Sequence, residues 1–197
     1  MIDYGAGNLT SVRKAFAAIG VDTMTPGSPA DLGVYDGIVI PGVGHFHATA
    51  SLDDGWREAI LERVTAGVPL LGICLGMQML FEGSDEAPGV PGLGLVAGRC
   101  ERIRTSRPLK VPHVGWNSIS VPVTSAVLTG VESGTYVYFT HSYAAPVTSD
   151  TAAVTTHGKS FAAVVERSNV AGVQFHPEKS GAAGLQILRN FAAMVRR

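Results

Sequence analysis

Residues 68–82 read VPLLGICLGMQMLFE, and this stretch decides the fold. Val68 to Ile73 is an apolar run short enough for one fully buried strand, and Leu75 to Phe81 carries apolar residues at helical spacing. Between them, Gly72-Ile73-Cys74-Leu75-Gly76 has the pattern of a nucleophile elbow with cysteine in the place of serine. Such a strand-to-helix turn holds its central residue in strained backbone geometry, and the flanking glycines let the turn close without side-chain clashes. The expected result is a thiol raised into solvent at a helix N-terminus, where unpaired N–H groups and the helix dipole favour the thiolate.

Upstream, the same strand-turn-helix unit recurs. Met1 to Tyr4 reads as the end of a buried strand, Gly5 to Asn8 as a turn, and Leu9, Val12, Phe16 and Ile19 as a helical stripe stopped by Gly20. Gly37 to Ile40 is a β-branched run ending in the PGVG of residues 41–44, followed by the stripe Trp56, Ala59, Ile60, Val64 and its stop at Gly67. Strands that are apolar throughout and alternate with helices predict a parallel sheet covered on both faces. Downstream the character changes. Gly83 to Gly98 is a Gly- and Pro-rich loop, and Val111–Val121, Tyr136–Tyr143, Ala152–Thr156, Phe161–Glu166 and Val170–Phe175 read as strands, with the HGKS of residues 157–160 as the clearest hairpin. A last helix opens at Ser180, carries Leu185, Leu188, Phe191 and Val195, and runs to the terminus. The expected architecture is one α/β domain over residues 1–197: doubly wound, mostly parallel, with antiparallel additions in the C-terminal half.

Composition narrows the partners. Fifteen Lys and Arg against sixteen Asp and Glu leave a net charge of -1, and no basic cluster marks a nucleic-acid or anionic-membrane surface. No apolar stretch reaches the roughly 20 residues needed to cross a bilayer, and no leader pattern opens the chain, which predicts a cytoplasmic protein. The two cysteines, Cys74 and Cys100, are expected as free thiols in a reducing compartment. Cys100 lies in AGRCERI, where nothing activates it, and reads as a small buried apolar group.

A thiolate that attacks an acyl carbon needs a proton donor for the leaving group and something to orient that donor. QFHPEKS, residues 174–180, offers His176 as acid and base and Glu178 as its orienter, joined by the stiffening Pro177. The oxyanion of the tetrahedral intermediate needs N–H donors, and losing one typically costs about 100 to 1,000-fold in rate. Leu75 N–H is the first; the second is expected from Val43 in the PGVG loop, at the end of a neighbouring strand.

GICLGMQ together with HPEKS resembles the class I glutamine amidotransferase family, and IDYGAGN, PGVG, PHVGWN and YFTHSY narrow the likeness to the glutaminase subunits of imidazole glycerol phosphate synthases in histidine biosynthesis. The resemblance covers essentially the whole chain. It implies a flavodoxin-like fold and a Cys74-His176-Glu178 triad that hydrolyses glutamine through a thioester, with glutamine held by Gly44, Gln78, His141, Ser142 and Tyr143. It also implies a heterodimer with a (β/α)8-barrel cyclase subunit that receives the ammonia, docked on Asn8, Trp116, Tyr138 and Lys179. No cofactor and no metal are called for; His45 and His47 in GHFH have strand-type metal spacing but no further ligands nearby, and are expected in a solvated loop. Where the family carries several apolar residues before IDYG, Met1 stands directly against Ile2, so a shortened first strand is expected, costing stability rather than chemistry. Two other readings stay open: a glutaminase serving pyridoxal phosphate, anthranilate or aminodeoxychorismate synthesis, which should lack PHVGWN, and a non-catalytic protein whose elbow cysteine senses oxidant, which has no use for a His-Pro-Glu pair.

Overall fold

The computed structural model describes residues 1–105 and 109–196. In chain order the regular elements are α1 (Leu9–Ala17), β1 (Ile38–Gly42), α2 (Asp54–Thr65), β2 (Leu70–Cys74), α3 (Leu75–Leu80), β3 (Gly83–Ser84), β4 (Arg99–Arg102), β5 (His113–Ser118), β6 (Tyr136–His141), β7 (Tyr143–Ala144), β8 (Thr151–His157), β9 (Lys159–Arg167), β10 (Val170–Val173) and α4 (Gly181–Val195). The central sheet has five strands in the order β1-β2-β10-β9-β8. β1, β2 and β10 run parallel, and β9 and β8 extend the sheet antiparallel through the expected hairpin, in which His157 pairs with Lys159.

Each helix turns an apolar stripe to the sheet. On one face α1 buries Val12, Ala15 and Phe16 and α4 buries Ile187, Leu188 and Phe191, against Val39, Leu71, Ile73, Ala171 and Val173. On the other, Ile60 and Val64 of α2 and the fully enclosed α3 meet Ile38, Ile40, Leu70, Val165 and Val170. The sheet strands that lie between these layers are apolar on both sides for that reason. Side-chain caps set two helix starts: Asn8 Oδ1 accepts from Ser11 N at 3.2 Å, and Asp53 Oδ1 accepts from Trp56 N at 3.0 Å. The 83–98 loop wraps the end of α3, where Leu93 N and Leu95 N donate to the carbonyls of Met79 and Leu80 at 2.7 and 2.8 Å, groups a helix C-terminus leaves unpaired.

Four expectations need correction. Met1 to Tyr4 is not a strand: the segment lies along β1 with one ladder-type bond, Ile2 N to Val39 O at 2.9 Å, although Met1, Ile2 and Tyr4 are buried. Residues 136–143 do not form one strand, because a bend at Ser142 divides β6, which pairs with β5, from β7, which pairs with β4. β4 was not foreseen, since Arg-Cys-Glu-Arg has a single apolar residue to signal alternation. The strand expected from Val111 begins only at His113, since Pro112 has no N–H to donate to a ladder.

Candidate active site

The register of β1 against β2 pairs Gly42 with Cys74, so the PGVG loop and the cysteine leave the sheet at the same level. Cys74 has φ 53° and ψ -105°, a conformation that L side chains rarely adopt, and it stands as the last residue of β2 and the N-cap of α3. The glycines around it are obligatory for packing. A Cβ at Gly72 would lie 2.6 Å from the Gly76 carbonyl oxygen, and one at Gly76 would overlap the carbonyl oxygen of Ile40.

The elbow does not lift the thiol into open solvent as expected: Cys74 is only 5% exposed. It faces instead a cavity of about 330 Å³ lined by Val43, Gly44, Leu75, Gln78, Glu86 and the 140–143 segment, among others. Protein groups close over the sulfur, with the Gln174 amide nitrogen 3.7 Å away and the Thr140 carbonyl oxygen at 4.0 Å.

His176 follows β10 and is held by β6, since its N–H donates to Tyr138 O at 2.9 Å, and Ser180 Oγ both donates to His176 O at 2.7 Å and accepts from Tyr138 N at 3.0 Å. Its Nδ1 is 2.8 Å from Glu178 Oε1, with both side chains nearly sealed from solvent at 2% and 3%. Burial alone would favour the neutral ring. Interaction with Cys74 and the hydrogen bond to Glu178, reinforced by both groups' charges, outweigh it and raise the pKa to about 9. Nε2 has no hydrogen-bond partner, so it is free to carry a proton to an arriving group.

The structure therefore brings Cys74, His176 and Glu178 together and places Val43, Gly44, Leu75, Gln78, His141, Ser142 and Tyr143 around one cavity. Gln78 is buried at 4%, which excludes a solvated helix position, and its amide nitrogen donates to Tyr143 O at 2.9 Å. None of the four residues expected to meet a partner lines the cavity; they are tied instead to the turn that follows His176. Trp116 and Tyr138 sit opposite each other on β5 and β6 with ring centroids 6.1 Å apart, Lys179 Nζ lies 5.5 Å from the Tyr138 ring centroid, and α1, capped by Asn8, packs against the 177–179 turn. Trp116 and Val114, on the same side of β5, are 56% and 57% exposed. His45 and His47 are exposed, with His45 Nδ1 accepting from His47 N, and among the described residues no group of three or more His, Cys, Asp or Glu could hold a metal. Cys100 is fully buried and burial pushes its thiol up, as its sequence setting suggested.

Sequence reasoning missed Glu86 and Gln174. Glu86 points a carboxylate at the cavity from the loop, steadied by Phe46 N at 2.7 Å, and would suit an ammonium group there. No pattern in a Gly- and Pro-rich loop marks it. Gln174 is 0% exposed; a lone amide at the end of the apolar run Val170–Val173 was the available signal, since buried polar groups need partners.

This chain belongs to the class I glutamine amidotransferase family, whose model matches residues 1–195. Among solved structures, a glutamine amidotransferase superposes with a TM-score of 0.77 at 18% identity, covering 100% of this chain and 98% of the other. Curated relatives are nearer in sequence. The imidazole glycerol phosphate synthase subunit HisH of Methanothermobacter thermautotrophicus is 45% identical over 197 residues, covering 100% of this chain and 98% of the relative. The subunit of the same name from Deinococcus radiodurans is 44% identical over 195 residues, covering 97% and 91%.

Proposed function

We infer that this chain is the glutaminase subunit of an imidazole glycerol phosphate synthase, acting as a single amidotransferase domain in histidine biosynthesis. The observation that carries the reading is the buried His176–Glu178 pair, its Nε2 unpartnered, beside a cysteine in positive-φ geometry that lines a cavity.

In this reading the Cys74 sulfur attacks the side-chain amide carbon of glutamine. The C=O π pair moves onto oxygen, which the N–H groups of Leu75 and Val43 receive. As the tetrahedral intermediate collapses, His176 Nε2 gives its proton to the departing nitrogen, the C–N bond breaks, and ammonia leaves a thioester. A water molecule then attacks that thioester, His176 takes its proton, and glutamate departs with the thiolate restored. Glu178 keeps the ring turned toward Cys74. Gly44, Gln78, His141, Ser142 and Tyr143 position the substrate, and Glu86 meets its α-ammonium group. The partner is a (β/α)8-barrel cyclase subunit seated over Asn8, Trp116, Tyr138 and Lys179, which takes up the ammonia. The exposed apolar side chains of Trp116 and Val114, on the strand whose Val114 pairs with the cavity-lining Thr140, support that seat. A cytoplasmic site of action accompanies the reading, and no helix among the described residues is long and apolar enough to cross a membrane.

The test is glutamate and ammonia release with and without the barrel partner. The parent chain should be active in the complex, Cys74→Ala and His176→Ala inactive, and the parent gene should rescue a histidine auxotroph. Partner-independent failure of all three, or peroxide sensitivity without glutaminase activity, would reverse the assignment.

A further inference from the structure

Seven side-chain and carbonyl groups form an unbroken hydrogen-bonded chain between strand β5 and the sulfur. Asn117 Nδ2 lies 3.3 Å from His113 Nε2; His113 Nδ1 is 3.1 Å from His141 Nε2; His141 Nδ1 is 2.8 Å from Tyr143 O. On the other side of that carbonyl, Gln78 Nε2 donates to it at 2.9 Å and to Gln174 Oε1 at 3.1 Å, and Gln174 Nε2 reaches Cys74 Sγ at 3.7 Å.

The proton positions follow from chemistry. A carbonyl oxygen only accepts, so Tyr143 O requires a proton on His141 Nδ1 and requires the Gln78 amide to turn its nitrogen toward it. His141 Nε2 is then a lone pair, His113 Nδ1 must donate to it, and His113 Nε2 must accept from Asn117. The far end agrees independently: Asn117 Nδ2 also donates to Thr156 O at 3.1 Å and its Oδ1 accepts from Ser118 N at 2.9 Å, which orients the amide without reference to the histidines. On the near side, Gln78 presents N–H to the Gln174 oxygen, and Gln174 is left with only its N–H groups to offer the sulfur. Every bond is satisfied in one direction and no other. The chain is also enclosed, with His113, His141, Gln78 and Gln174 at 4%, 7%, 4% and 0% exposure, and the His157 ring stacked on His113 at 4.1 Å. Water cannot readily substitute for a missing member.

We propose that Gln174 and His113 are positioning residues of the glutaminase: Gln174 holds an N–H donor on the nucleophilic sulfur, and His113 fixes the Tyr143 wall of the substrate cavity to β5, the strand that carries Trp116. Resting on the assignment of Cys74 as nucleophile and of Trp116 as a docking residue, this makes the β5–β6 strand pair mechanically continuous with the substrate wall and the thiolate. Both rings are neutral in the chain, in keeping with burial lowering the pKa of His113 to about 4 and of His141 to about 3.

Two measurements test the proposal. The first is alkylation of Cys74 by iodoacetamide against pH, with the modified residue located by peptide mapping. It needs no glutamine and is read on the free chain. Gln174→Met should move the profile upward by roughly one pH unit through loss of a donor to the thiolate, and the equal-sized Gln174→Glu at least as far. The second is glutamine KM in the complex. His113→Phe, which keeps a stackable ring and loses the donor, should raise KM roughly tenfold, and His113→Asn, whose amide supplies a donor near the Nδ1 position, should recover most of it. Alkylation profiles of both Gln174 variants superimposed on the parent, or equal KM values for His113→Phe, His113→Asn and parent, would overturn it. Ammonia release persisting in Cys74→Ala would instead remove the underlying assignment, an outcome neither measurement can mimic.

Discussion

His176 shows two opposed forces with a clear winner. Burial favours its neutral ring, yet Cys74 and Glu178 hold the proton on to about pH 9. The sign of the consequences follows. A raised pKa contributes stability that is complete below the ordinary value of 6.5 and fades as pH climbs through about 9. Glutaminase activity should fall over the same range on the proposed mechanism, in which the imidazolium is the donor to departing ammonia, and in Glu178→Gln the fall should begin at lower pH. That variant should lose about tenfold in kcat, far less than Cys74→Ala or His176→Ala, since packing preserves part of the ring's orientation; steady-state rates across pH read both effects. The proposed triad could be named from the sequence because its parts are local, an elbow within five residues and a His-x-Glu within three. Gln174 was not: its partners Gln78 and Cys74 lie 96 and 100 positions away, and only the fold brings them together.

Among the elements, α3 is the most constrained. It lies so close to β1 that Gly76→Ala would drive a methyl group into the Ile40 carbonyl, and backbone on both sides leaves little room to yield. A cost of about 3 kcal/mol is expected, visible as a Tm roughly 6 to 12 °C lower. A different anchor holds the 125–127 turn. Glu166 on β9 accepts from Ala126 N and Val127 N at 3.0 Å each and from the Ser125 hydroxyl. Glu166→Ala should cost about 2 kcal/mol, a Tm lower by roughly 4 to 8 °C, with the Glu166→Gln loss smaller. The parallel strands and their helices could be read from the sequence because burial on both faces leaves continuous apolar runs. β4 could not, because Arg-Cys-Glu-Arg has one apolar residue and shows no alternation, and the bend at Ser142 could not, because YFTHSY alternates no differently on its two sides.

At the scale of the whole molecule, the C-terminal ends of β1, β2 and β10 gather the cavity and the proposed triad, and half-buried Tyr138, paired with exposed Trp116, is bonded to His176 there. Trp116→Ala should weaken binding of the barrel partner at least about tenfold by titration calorimetry, as expected for a large exposed aromatic on the proposed docking face. The neutral histidines set the acid limit. Because folding lowers the pKa values of His113 and His141 to about 4 and about 3, their contribution is complete above 6.5 and disappears as pH falls through those values. Chemical denaturation between pH 7 and pH 4 should show that loss, and its reduction in His113→Phe. The left-handed backbone at residue 74 bears on evolution as well as on chemistry. Glycine would relax there, so Cys74→Gly should melt a few degrees above Cys74→Ala while both are catalytically silent. Thermal robustness and reactivity thus compete for a single codon, and a lineage that drifted toward the sturdier molecule would keep the architecture and lose the enzyme.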